Sequence, residues 1–206
     1  MKIALIGGTG SFGMALAVRL REARYGVVIG SRDAERAKAA AAELGVEGAT
    51  NEDAARAADV IVLTTKAEGA VETARSLRHA IGTTPVLSVA AELSFTKEGV
   101  FPTAQAASIA QRIQDVIDGP VVAGLHSLAA SNLGGEEAPD EDTLVCGDDA
   151  AAKAIVLELA GAITSGRAID AGPLASARAL EGMTAVIVNV NKRYKAHAGL
   201  RVTGVH

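Results

Sequence analysis

Two rhythms of apolar and polar positions alternate along this chain. Residues 1–6 form a short apolar run with one charge, the pattern of a buried strand. Gly8, Gly10 and Gly13 follow in the spacing G-x-G-x-x-G. Next comes a stretch with apolar residues at Leu16, Ala17 and Leu20, stopped by Gly26, which predicts a helix. Residues 27–30 are a second apolar strand. Residues 34–44 are an alanine-rich helix closed by Gly45, and residues 46–49 a short edge strand. Thr50 or Asn51 caps a helix over 52–58. Residues 59–65 are apolar on both faces, as strands inside parallel sheets are. A helix over 67–80 and a buried strand over 85–90 continue the alternation, which specifies an α/β fold with a doubly wound parallel sheet.

The second half is less regular. Residues 96–102 read as a loop with Gly99 and Pro102, and residues 104–117 as a helix with Ile109, Ile113 and Val116 on one face. Gly119-Pro120 breaks it. A strand over 121–125 ends at His126-Ser127. Residues 132–142 are a polar, acidic surface loop. Strands over 143–147 and 167–170 flank a helix over 151–163, and Gly172-Pro173 leads into a terminal helix over 175–195. The tail, 199–206, is placed to close over a site or to meet a partner. The expected division is a Rossmann domain over 1–150 that binds the nucleotide, with a small helical C-terminal part over 151–206.

The strand–glycine–helix order gives the motif its meaning. In this context Gly8 permits a tight turn, Gly10 lets backbone approach a pyrophosphate, and Gly13 allows close packing of helix on strand. The helix N-terminus offers unpaired N–H groups and partial positive charge to phosphates. At the end of the second strand stand Ser31, Arg32 and Asp33. An acid there would select NAD, whereas Arg accommodates the extra phosphate of NADP. Arg36, one turn further on, adds a second cation. Asp33 reads better as a helix cap than as a ribose ligand, so the pattern favours NADP.

Composition narrows the function classes. The net charge is −4 and aromatics are only 2% of 206 residues, against a nucleic-acid surface and base stacking. Hydrophobic residues are 49%, with no Trp, so the core must be aliphatic. Cys146 is the single cysteine; it fits a reducing cytosol and lacks neighbours at metal-ligand spacing, so no metal is expected. No apolar stretch is long enough for a membrane span, and glycines interrupt the apolar start too early for a signal peptide. A cytoplasmic enzyme is the expectation.

No nucleophile–base pair and no paired carboxylates stand out. Hydride transfer between organic cofactors asks little acid–base chemistry of the protein, which supplies alignment. Thr64, Thr65, Ala90 and His126, at strand carboxyl ends, are the residues placed to provide it. His126 is either a cofactor contact or a buried histidine satisfied by backbone, and is the only candidate for a catalytic group.

Several pieces then resemble the coenzyme F420-dependent NADP reductases: GGTGSFG at residues 7–13, GSRD at 30–33, NEDAARAADVIVLT at 51–64, LHS at 125–127, VCGDD at 145–149 and DAGPLASAR at 170–178. The resemblance implies hydride exchange between a deazaflavin, coenzyme F420, and NADP. It implies that Thr9, Ser11, Phe12, Ser31, Arg32 and Arg36 hold NADP. It places His126, Ser127, Leu128 and the tail near Leu200 by the deazaflavin, and it implies a homodimer. Two segments depart from the family pattern: Thr65-Lys66-Ala67-Glu68-Gly69 replaces an apolar, aromatic stretch, and Ala129-Ala130 follow where a proline is usual. A flavin or ferric-chelate reductase using NADPH, and a non-catalytic NADP sensor, remain the alternatives.

Overall fold

The computed structural model describes residues 1–205. In chain order the first half runs β1 (Lys2–Ile6), α1 (Ser11–Glu22), β2 (Gly26–Ser31), α2 (Ala34–Leu44), β3 (Glu47–Thr50), α3 (Asn51–Arg56), β4 (Val60–Leu63), α4 (Ala67–Ser76), α5 (Arg78–Ile81) and β5 (Val86–Ser88). The second half runs β6 (Leu93–Phe95), β7 (Val100–Pro102), α6 (Ile109–Gln114), β8 (Val121–Gly124), α7 (Ala130–Leu133), β9 (Thr143–Gly147), α8 (Ala150–Ala162), β10 (Ala168–Asp170) and α9 (Ala177–Tyr194). A single 3-10 turn, Leu174–Ser176, precedes α9.

The main sheet has eight strands in the order β10-β9-β8-β5-β4-β1-β2-β3. The six strands from β3 to β8 are parallel, with Ile3 opposite Val27 on one side and Val60 on the other. This is the nucleotide-binding order with its switch point between β1 and β4. The doubly wound parallel sheet is as expected, with one local exception. β9 pairs antiparallel with β8, Ala123 opposite Cys146, and β10 then runs parallel to β9. The connection from β8 to β9 has only a one-turn helix, α7, so it returns down the sheet without a crossover. The sheet also runs on past residue 150, because β10 belongs to it.

Side chains of each strand go to opposite faces. Ala4, Ile6, Ile61 and Leu63 pack with Ala54, Ala70, Ile109 and Leu180 from α3, α4, α6 and α9. Ile3, Leu5 and Val62 pack with Leu16, Leu20, Val156 and Leu159 from α1 and α8. The core is aliphatic and alanine-rich, as the composition demands.

Three other expectations are corrected. Residues 96–102 are not a simple loop: β6 and β7 pair as an antiparallel ribbon, closed by the amide of Thr96 donating to Gly99 O. Asn189 on α9 accepts from Val100 N and donates to Val100 O, completing the ribbon from far along the chain. The helix predicted over 104–117 is only α6, because Ser108 caps it with Gln111 in a reciprocal capping box. The helix over 67–80 divides at Leu77 into α4 and α5. Residues 34–44 are helical as predicted, with Asp33 accepting from Glu35 N and Arg36 N and Gly45 left-handed at the end.

Candidate functional site

The turn after β1 is shaped by what its glycines leave out. Gly7 takes the left-handed conformation, φ 74°, so the tight turn lies there and not at Gly8 as the spacing suggested. Gly8 is instead a packing residue, since a Cβ would come 2.7 Å from Leu5 O. Gly13 sits in the first turn of α1, where a Cβ would come 2.5 Å from Gly8 O, so helix and turn are in contact as expected. A Cβ on Gly10 would meet nothing within 4 Å, because Gly10 faces open space at the N-cap of α1. No side chain caps α1 and its first turn holds no acid. Its leading N–H groups are therefore free for an anion.

A cleft of about 750 Å³ opens over this turn, lined by Gly7, Thr9, Gly10, Ser31, Arg32, Asp33, Arg36, Asn51, Thr64, Thr65, Lys66, Gly69 and Thr73. Of the predicted residues it brings together Thr9, Gly10, Ser31, Arg32, Arg36, Thr64 and Thr65. Gly8, Ser11, Phe12 and Gly13 frame it without lining it; Phe12 packs against the α1–α8 side of the core. Arg32, Arg36 and Lys66 form no ion pair among the described residues. Asp33 spends its carboxylate on the α2 cap and its own N–H on Ser31 Oγ. The mouth of the cleft beyond β2 therefore presents two guanidinium groups suited to a phosphate.

Asn51 is the lining residue that sequence reasoning took only for a cap. Its Oδ1 accepts from Gly7 N at 3.2 Å, holding the turn. Lys66, Gly69 and Thr73 line the cleft because α4 starts just past the end of β4. Thr64 donates its hydroxyl to Ile6 O, tying β4 to β1. Thr65 lays its methyl against Gly7, and its buried hydroxyl has no protein partner.

The other predicted residues sit further along the sheet and outside the cleft. Ala90 and His126 meet: His126 Nε2 is 3.3 Å from Ala90 O. His126 is buried, and burial pushes its pKa down to about 4. It is neutral at pH 7, donating from Nε2 to the carbonyl, and Nδ1 is left as a buried acceptor with no partner among the described residues. Leu125 before it holds φ 65°, a strained value for a branched side chain. Thr184 of α9 donates to His126 O. Ser127 donates to Asp142 O, and Asp142 N donates to Leu200 O, so Ser127 and Leu200 stand either side of Asp142. Leu128 is buried in the core. Cys146 is also buried, and desolvation raises its thiol to about 11, so it is inert. Among the described residues, no His, Cys, Asp and Glu group is arranged to hold a metal ion.

The family question is settled by comparison. Residues 2–92 match the family model described as NADP oxidoreductase, coenzyme F420-dependent. Over its whole length the chain is 34% identical to the F420-dependent NADP reductase of Methanocaldococcus jannaschii, covering 99% of that protein. It is 36% identical to the Methanothermobacter thermautotrophicus reductase of the same name, covering 96% of it. The chain belongs to the F420-dependent NADP reductase family. A solved Arthrobacter sp. FB24 protein, described as a candidate member of this family, superposes with a TM-score of 0.86 at 25% identity, covering 98% of this chain and 99% of that one. An imine reductase from Streptomyces aurantiacus shares the fold alone, with a TM-score of 0.65 at 21% identity. No helix among the described residues is long and apolar enough to cross a membrane.

Proposed function

We propose that the chain is an oxidoreductase that exchanges a hydride between coenzyme F420 and NADP. The observation that carries the reading is the open, cationic cleft at the glycine turn, in a chain that aligns with reductases of that name from end to end. The fit to NADP rests on three features: the empty space over Gly10, the uncapped start of α1, and the unpaired Arg32 and Arg36. Thr9, Gly10 and the α1 N-terminus would hold the diphosphate; Arg32 and Arg36 would hold the adenosine-side phosphate. When both cofactors are bound, nicotinamide and deazaflavin supply the hydride chemistry between them.

The protein's share is placement. Thr64, Thr65, Ala90 and His126 follow one another past the ends of β4, β5 and β8, bordering the path from the cleft toward the tail. His126 stays neutral, so it adds hydrogen-bonding capacity without charge. In this reading residues 1–150 carry the nucleotide together with Ser127 and Leu128 on the deazaflavin side, and residues 151–206 complete that side through Leu200. We also propose a cytoplasmic homodimer. Phe95, Phe101, Val186 and Tyr194 are exposed on the ribbon and on α9, in a chain with only five Phe and Tyr residues.

The test is an absorbance assay with reduced coenzyme F420 and NADP at saturation. NADPH should form in proportion to enzyme. Turnover with FMN or FAD, and none with the deazaflavin, would overturn the reading.

A further inference from the structure

The last described residues are fastened by a buried carboxylate that the nucleotide chemistry does not use. Asp142, at the entry to β9, is fully buried. Its Oδ1 accepts from Arg167 N at 2.9 Å and from Arg167 Nε at 3.3 Å; its Oδ2 accepts from Arg167 Nη2 at 2.6 Å and from Val202 N at 2.9 Å. Four donors on one carboxylate hold it well below the usual carboxylate range. Arg167 carries the contact onward, donating to Val202 O and Val205 O. The main chain of Asp142 joins as well, its N–H to Leu200 O and its carbonyl receiving Ser127 Oγ.

Beside this pair the tail lies on Glu141 with no room to spare. A Cβ on Gly199 would stand 2.1 Å from Glu141 Cδ. Glu141 is buried there, which raises its pKa, and Asn132 is its only side-chain partner among the described residues. Residues 199–205 are thus seated by an ion pair whose carboxylate is buried, by main-chain bonds and by a glycine whose replacement would have to push the Glu141 side chain aside.

The geometry points to Asp142 and Arg167 as positioning residues that clamp the tail against the His126-Ser127 turn, making residues 199–205 a fixed wall of the second-cofactor site. The antiparallel return of β9 is what puts Asp142 at the same end of the sheet as His126. Neither residue touches the nucleotide cleft, so the clamp acts on one cofactor and not on the other. The inference rests on the reading that the deazaflavin binds beyond β8.

Two variants of the full chain test it. Asp142→Asn keeps the shape and weakens the clamp; Gly199→Val, too bulky for a shift of the Glu141 side chain to absorb, displaces the tail and leaves the ion pair intact. Trypsin release of peptide 202–206, followed by mass spectrometry, reads whether the tail is held. In both variants release should quicken and KM for reduced coenzyme F420 should rise roughly tenfold, while NADP affinity by calorimetry stays within about twofold. If Asp142→Asn loses NADP binding as well, it has misfolded and Gly199→Val decides. Quicker release with unchanged KM would overturn the proposal, as would unchanged release in Gly199→Val. A wild-type chain that binds NADP but turns over no deazaflavin would overturn the function reading, and with it the tail's role in the site.

Discussion

Past the end of β1 the site is made by absent side chains; past the end of β8 it is packed with them. The glycine turn is open and cationic, and its parts lie within a few residues of one another or on neighbouring strand ends. The His126 region is buried, holds a neutral imidazole and draws its contacts from residues 90, 142, 167, 184 and 200. The difference suits the ligands proposed for them. A diphosphate needs N–H groups and charge at close range, which a helix start supplies. A flat ring system needs a shaped, water-poor wall, which only tertiary packing supplies.

The sharpest way to break the contrast is Gly13→Ala. Its methyl would collide with Gly8 O, and nothing flexible can yield. A displacement of α1 by about an ångström should weaken NADP binding ~100-fold or more. Stability should fall by about 1–3 kcal/mol from overpacking. Calorimetry with NADP and urea unfolding check the two effects.

Acid tests the other region. His126 titrates near 4 in the fold against 6.5 as its ordinary value, so the unfolded chain takes the proton first. The resulting stability is complete above about pH 6.5 and is lost as pH falls toward 4, on the order of 3 kcal/mol in all. Urea unfolding of His126→Asn should lack this part of the pH dependence between pH 7.5 and 5; an unchanged profile would place the titration elsewhere.

Arg32→Ala should raise KM for NADP by about tenfold to a hundredfold and leave KM for NAD nearly unchanged, as loss of one charge-assisted phosphate contact requires. Equal effects on the two nucleotides would show that Arg32 does not read the phosphate. The smallest effect belongs to its neighbour. Asp33→Ala should cost about 1 kcal/mol through the lost α2 cap, with the preference for NADP over NAD retained. A reversal of that preference would make Asp33 a nucleotide ligand after all.

What was legible in the sequence follows the same division. Strand, glycines and helix occur in one continuous stretch, and Asp33 and Gly45 bound α2 with local chemistry alone. Arg32 and Arg36 could be placed because each lies a fixed short distance from that pattern, and Thr9 through the family resemblance. Asn51 could not, since its bond to Gly7 exists only once β1, β2 and β3 are side by side. The short α6 was misjudged because apolar spacing ran on past its ends, although Ser108 and Gln111 carried the capping signal. Its first N–H groups are also bonded by Glu181 of α9, whose buried carboxylate accepts from Ile109 and Ala110. The ribbon β6–β7 depends likewise on Asn189. No local pattern announces Asp142 and Arg167, which are 25 residues apart.

Both borders of the eight-stranded sheet are short. β10 has three residues and β3 has four, and Gly48 in β3 lies so close under α2 that a Cβ would come 2.5 Å from Ala37 O. An open row of unpaired amides would invite strand-by-strand association between molecules. Here both margins are too brief to template such growth, and α2 packs close on the face of β3. The protein should therefore stay dispersed at high concentration, with any self-association confined to the apolar patch on α9 and the ribbon.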